Sequence, residues 1–593
     1  MVRLVAERSS DLISPVFNRA VVTLPRRARH FIYRAAYPVA LFTLMLAAWQ
    51  VLAGTQVIRN VGDFSRFGAM LFQVLAPVQL ALALFASALL AAGSIAAEKD
   101  RRTLDLLLLT NLSSAQFVLG KLFGSLLLVW TLLVAALPLF VFALLFGGVA
   151  GEQLFRAIAV TISATLLAGS LGAMLALWRD KSFQTLAMTT TLMVLWLVFW
   201  ELMASGLLGN GNWGVAAHQW AIAFSPWRAI LAATLPTDPI PLGGERAMHN
   251  ALWFLPVSLS LAAAFTTWGI IRFRVWNPSQ RLDASSRPIG DREVGPVGRS
   301  LRSEREVWTN PIIWREMRTW AYGQRTMLVR IAYLLLFVLA AGAIFNLQSS
   351  EMSLTRIAVA TALIPLFVLS LLLINAQAVT SITTERDGRA LDLLLVTDLT
   401  PKEFIFGKLG GVLYNTKEMI VAPIALCVAL WAIGGVTLEN LAYLTVGQLS
   451  LIAFAAMLGV HAGMTYGHSP TAIAVSLGAV FFLFIGIAAC MRVMVAFSGS
   501  FEVQLAPFVL FMFGGGVGLF FALGVRNPST ALLAASLLCP FVTFYAITSF
   551  LLGQTLNVFI VITAMYSFAT AAMLIPAIYE FDVAAGRTTS AQE

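Results

Sequence analysis

Apolar residues fall in long runs along this chain, separated by short polar stretches. The N-terminal runs lie near 34–54, 69–95, 122–147, 154–177, 185–207 and 251–272. The C-terminal runs lie near 328–346, 357–382, 409–435, 441–466, 471–496 and 554–578. A helix needs about 20 apolar residues to cross ~30 Å of hydrocarbon, and these runs are of that order. They show no strict apolar–polar alternation, which removes a membrane β-barrel. The pattern predicts an all-α polytopic membrane protein of about 12 transmembrane helices.

Polar stretches set the domain plan. Residues 1–33 read as a cytoplasmic amphipathic segment, 34–272 as a first transmembrane half, and 273–327 as a cytoplasmic linker. Residues 328–578 form a second transmembrane half, and 579–593 a cytoplasmic tail. The linker centre, SQRLDASSRPIGDREVGPVGRS, is rich in Ser, Pro, Gly and charge, as flexible linkers are. The arginine-rich opening and the length of the first apolar run argue against a cleavable signal peptide.

Charge then orients the plan. Only 11% of residues are charged, against about 25% in soluble domains. The net charge of +10 could suggest nucleic acid, but its distribution points to lipid. Arg3, Arg8, Arg19, Arg26, Arg27 and Arg29 precede the first run, and twelve arginines lie between Arg272 and Arg330. The outer loops are nearly neutral. This positive-inside pattern places both termini in the cytoplasm and the basic segments against anionic headgroups. The three cysteines, Cys427, Cys490 and Cys539, sit in apolar runs and read as small core residues.

A polar passage occurs twice. EKDRRTLDLLLLTNLSSAQFVLGKL, Glu98 to Leu122, returns as ERDGRALDLLLVTDLTPKEFIFGKL, Glu385 to Leu409. Fourteen of the 25 positions are identical without a gap, where composition alone gives about two. Ser14–Tyr37 likewise matches Asn310–Tyr333, with Pro15, Arg19, Arg34 and Tyr37 meeting Pro311, Arg315, Arg330 and Tyr333. SPWRAILAA (Ser225 to Ala233) matches NPSTALLAA (Asn527 to Ala535) before the last run of each half. Three landmarks in one order predict two parallel six-helix repeats related by an axis along the membrane normal. Residues 208–250 and 497–553 fall on the outer side and are too apolar for open loops, so both predict re-entrant or interfacial helices. The alternative, a thirteenth span over 503–525, would place the C-terminus outside.

The repeated passage reads as a helical elbow. An acidic first turn and a leucine stripe follow Thr103, then a break comes at Thr110–Asn111. Ser113 to Gln116 has capping-box spacing, and Leu112 and Phe117 have that of a hydrophobic staple. Thr400, Pro401 and Glu403 repeat the logic between Leu399 and Phe404. The bland reading is an interfacial helix with Lys121 and Lys408 snorkelling. It does not explain why Glu98, Asp100, Arg102 and Asp105 recur as Glu385, Asp387, Arg389 and Asp392. Charges that dock a partner, or that lock the elbow by ion pairs, would recur.

The pattern E-x-D-x-R-T-L-D-L-L-L-x-T-x-L-S…G-K resembles the transmembrane permeases of ABC type-2 exporters. NPIIWREMR at Asn310 resembles that family's connecting helix, and the SPxxAxxAA segment its outer re-entrant region. The resemblance implies that residues 98–121 and 385–408 are coupling helices resting on an ATPase subunit. Glu98, Asp100, Arg102, Leu104 and Asp105, with Glu385, Asp387, Arg389, Leu391 and Asp392, would carry that contact. Arg19, Arg315 and Glu316 would belong to the connecting helices, and Ala20 departs from the pattern where Glu316 stands. No G-x-x-x-x-G-K-[ST] cradle is present, so ATP and Mg²⁺ are expected on a separate chain and no cofactor on this one. With both halves fused, the expected partners are two copies of one ABC ATPase, the lipid bilayer and accessory subunits, with no nucleic acid. The expected location is the plasma (inner) membrane.

Charges inside apolar runs are function candidates by default. Glu201 offers substrate contact or structural pairing. Lys417 and Glu418 read as helix-packing groups, Arg492 lies toward the end of its run, and His461 reads as a core histidine. No metal spacing and no hydrolase motif appears. A major-facilitator-like secondary transporter, or a membrane anchor for an ATPase complex, are the competing readings. The first shares the span count but closes its loop in a tight turn, without the long amphipathic stretch seen here.

Overall fold

The computed structural model describes residues 15–23, 28–55, 61–100, 103–179, 182–204, 211–212, 215–235, 251–277, 310–318, 327–349, 356–387, 391, 394, 398–467, 469–496, 501–524 and 528–584. Among the described residues the regular structure is helical, apart from one two-residue pairing of Gly211–Asn212 with Val215–Ala216. Among the described residues nine helices are long and apolar enough to cross a membrane, or ten if one bent pair counts as a span.

The first half begins with a short helix, α1 (Pro15–Thr23). It continues through α2 (Ala28–Thr55), α3 (Val61–Asp100), α4 (Thr103–Leu108), α5 (Ser114–Leu145), α6 (Gly151–Trp178) and α7 (Ser182–Ala204). Two short helices, α8 (Ala217–Phe224) and α9 (Pro226–Thr234), precede α10 (Phe254–Trp276). The second half has α11 (Pro311–Arg318), α12 (Met327–Ser349), α13 (Arg356–Asp387), α14 (Pro401–Asn415), α15 (Lys417–Ala432) and α16 (Leu438–Thr465). A π turn over Phe482–Gly486 joins α17 (Ser469–Phe481) to α18 (Ile487–Ala496). Then come α19 (Phe501–Leu523), α20 (Thr530–Leu551) and α21 (Thr555–Ala584).

The same contacts recur 287 positions apart. Gly147 and Gly434 both close their helices at positive φ, 85° and 78°, where a Cβ would be strained. Gly172 and Gly459 mark equivalent close crossings of two helices. A Cβ on Gly172 would sit 2.4 Å from the Ala88 carbonyl oxygen, and one on Gly459 2.7 Å from that of Asn375. Backbones this close gain dispersion and lose no side-chain entropy, which is how helices pack when lipid supplies no hydrophobic drive. Asn375 adds a bond the first half lacks, because it donates to the Ala455 carbonyl at 2.9 Å and accepts from Ser476.

The outer regions of the two halves differ. In the first, α8 and α9 form a short turn whose end, Thr234, lies beside Gln153 at the start of α6. In the second, α19 and α20 form a long antiparallel hairpin. Phe508 meets Phe541 and Phe544, and Gly516 lies against Ser536 and Leu537. His461 Nε2 is 2.9 Å from the Leu523 carbonyl, and Tyr466 donates to that of Ala522. Arg386, at the end of α13, donates to the Gly463 carbonyl of the same α16 terminus. The hairpin tip therefore lies at the end of the bundle where α13 turns into α14, not on the outer side. This corrects the re-entrant reading of 497–553. The apolar run after Asn527 is a second long helix, so two helices are added rather than one and the parity of the count is kept.

Candidate functional site: two elbows at one end of the bundle

The first elbow joins α3 to α5. Leu104, Leu107 and Leu108 turn inward onto Phe117 and Phe273, and Leu104 is buried. Leu106 and Leu109 turn outward, 65% and 54% exposed. The helical period accounts for both faces, because residues three and four apart share a side. Ser113 accepts from the Gln116 amide at 3.1 Å, and Gln116 Oε1 accepts from that of Ser113 at 3.0 Å. This capping box fixes where α5 starts.

Charges close the elbow from within. Lys121 Nζ lies 2.6 Å from Glu98 Oε1, and the Thr103 hydroxyl also donates to Glu98. Lys99 donates to the carbonyls of Leu177 (2.7 Å) and Arg179 (2.8 Å) at the end of α6. Those carbonyls have no partner inside their own helix, and a cation there also meets the negative dipole end.

The second elbow repeats the clamp and enlarges it. Thr400 accepts from the Glu403 amide at 3.2 Å, and Glu403 Oε2 accepts from that of Thr400 at 3.0 Å. Lys408 Nζ lies 2.7 Å from Glu385, as Lys121 does to Glu98, and 2.7 Å from Glu316 as well. Arg315 reaches both carboxylates, at 3.1 Å from Glu316 and in contact with Glu385. Two cations and two anions thus close a neutral network, and Lys408 within it is 1% exposed. Burial alone would weaken the Arg315 charge, but Glu385 and Glu316 outweigh it and hold its pKa above the usual arginine value. Asp387 accepts from Ser469 at the start of α17.

The amphipathic helices before each half lie on the elbows. Phe17 of α1 meets Phe123 of α5 edge-on at 6.5 Å, and Ala20 faces Gly124. In the equivalent places Ile313 of α11 faces Gly410, and Glu316 faces Gly411. Phe117 stacks on Phe273 at 4.8 Å in one half, and Phe404 on Phe581 at 4.7 Å in the other.

The sequence-selected residues therefore divide. Glu98 and Glu385 lock their elbows, and Leu104 and Leu391 are buried anchors rather than surface. Asp100 ends α3, and Arg19 lies on the exposed side of α1. Arg102, Arg389 and Asp392 lie outside the described residues, as do the side chains of Asp105 and Arg492. Glu201 forms a structural pair: Arg228 Nε donates to its two oxygens at 2.9 and 3.0 Å, tying α9 to α7. Glu418 pairs with Arg330 at 3.2 Å. The partners Lys121, Lys408, Arg228 and Arg330 went unassigned in the sequence reading. For the two lysines a signal existed, since they recur with the glutamates they hold. Among the described residues no His, Cys, Asp and Glu gather as a metal site would require.

Residues 14–260 match the ABC-2 family transporter protein. The match runs from the segment before α1 into α10, so it takes in the whole first elbow. Curated proteins give no match. The first half is thus similar to an ABC-2 family transporter domain, and the long apolar helices are those of a membrane-spanning protein.

Proposed function

Starting from that ABC-2 domain, we propose that this chain is the permease of an ATP-driven exporter. Two copies of a separate ABC ATPase seat on its two elbows, which act as coupling helices. One observation carries the reading: Leu106 and Leu109 stand exposed at the tip of a polar elbow whose Glu98 is turned inward onto Lys121. Apolar groups raised on a rigid, capped support are what a partner's groove recognises, and buried apolar anchors supply most of an interface's energy. The acidic residues then set the elbow's shape, and the leucines make the contact. ATP and Mg²⁺ bind on the partner, and this chain holds no nucleotide. Both termini and both elbows face the cytoplasm, and the protein resides in the plasma membrane. Accessory subunits join the same complex.

The test is co-purification with an ABC ATPase co-expressed from the same genome, followed by ATP-dependent flux in vesicles. Leu106→Asp with Leu109→Asp should lower ATPase capture about tenfold or more, the effect of removing interface anchors. Unchanged capture and flux in that variant would remove the first elbow as a seat.

A further inference from the structure

The two elbows share a sequence but not an anchorage. In the first half the described contacts between α1 and α5 include Phe17 on Phe123 and Ala20 on Gly124, both apolar. Arg19 lies on the exposed side, and Ala20 has no carboxylate to offer. An apolar contact between small residues resists sliding less than an ion pair does. In the second half α11 is tied at both ends. Asn310 Nδ2 donates to the Glu403 carbonyl at 2.8 Å, while its Oδ1 accepts from the amides of Ile312 and Ile313. Glu316 and Arg315 join the Glu385–Lys408 pair, and Asn415 Nδ2 donates to the Glu316 carbonyl at 3.3 Å. Pulling α11 off this elbow would strand buried charges, which is far costlier than parting apolar surfaces.

Beyond the elbows the paths differ again. The helix α5 runs unbroken for 32 residues. Its counterpart stops at Asn415, and α15 leaves at a bend of 57°. Arg330 of α12 holds this bend, donating to the Asn415 carbonyl at 3.1 Å and pairing with Glu418. A helix break with its freed carbonyl satisfied is a built joint, in which a few element-terminal residues absorb a rotation.

We propose that the two elbows transmit motion by different routes. The first passes displacement straight along α5, sliding beneath α1. The second moves as one block with α11 and α14 and turns about the joint at Asn415–Lys417. The inference rests on the elbows being ATPase seats, and adds which connecting helix travels with its elbow.

The equivalent pairs Phe17/Phe123 and Ile313/Gly410 allow a like-for-like test in the full chain with its ATPase. Each pair is replaced by two cysteines and oxidised to a disulfide; the three native thiols are buried. A disulfide from α11 to α14 should leave ATP-driven flux within about twofold of the reduced protein. One from α1 to α5 should lower it about tenfold, the scale on which a lost coupling shows. Equal tolerance or equal loss in the two halves would overturn the proposal. Loss confined to the α11 pair would reverse it. If even the reduced proteins show no ATP-driven flux, the transporter reading has failed. The block is then judged alone, by spin-label distances without ATPase: narrow between α11 and its elbow, broad between α1 and its own. Equal widths would overturn it.

Discussion

Lys121 and Lys408 occupy the same place in two copies of one sequence, and each holds the same glutamate. They differ in surroundings. Lys121 is 17% exposed and its partner Glu98 27%, whereas Lys408 is sealed beneath Glu316. Local sequence sets the pairing, and the element laid over it sets what the pairing is worth. A pair open to water at one edge is partly screened and contributes less, while a buried network becomes costly once one member is lost. Glu316, where the first half has Ala20, joins with Asn310 and Asn415 to turn a clamp into a bolted joint.

The largest test of this contrast removes each lysine. Lys408→Ala should destabilise the protein by about 3–5 kcal/mol, because Glu316 and Glu385 both lose a buried cation. Lys121→Ala should cost about 1 kcal/mol or less. Thermal unfolding in detergent, with the yield of monodisperse protein, reads both, and equal losses would erase the distinction. Where the halves agree, so should the mutants. Gly172→Val and Gly459→Val each force a side chain into a backbone crossing, and should cost about 1–3 kcal/mol or somewhat more, alike in both halves. Arg330→Ala probes a feature of one half, leaving the Asn415 carbonyl and Glu418 without their partner. A loss of about 1–3 kcal/mol is expected, while Arg34→Ala, on an exposed side chain, should change almost nothing. Smallest are the caps. Ser113→Ala and Thr400→Ala should each cost about 1 kcal/mol, and faster amide exchange in the first turn of α5 or α14 would report it.

Much of this was legible in the chain. Length and hydropathy point to long apolar helices, nine or ten of which can span among the described residues, because a chain without strict alternation can satisfy its backbone in lipid only as helix. The capping boxes at Ser113 and Thr400 were readable because they are local, written within four residues. The partners of Glu201 and Glu418 were not. Arg228 lies 27 positions from Glu201, and Arg330 is farther still from Glu418, so only the folded path brings them together. The α19–α20 hairpin was misplaced for a related reason. Apolarity alone shows neither where a run begins again nor which end of the bundle a turn reaches. The elbow charges were picked out correctly as repeated, but recurrence cannot separate a residue that meets a partner from one that holds the platform.

The α19–α20 hairpin also says something about the fusion of the halves. Two identical permease chains around a dyad must carry every feature twice or not at all. Among the described residues one such hairpin is seen, packed against α2 of the opposite half, with its tip clasped by His461 and Tyr466. Joining the halves covalently removes the demand for symmetry, and the chain has used that licence to place one odd element in an otherwise paired architecture.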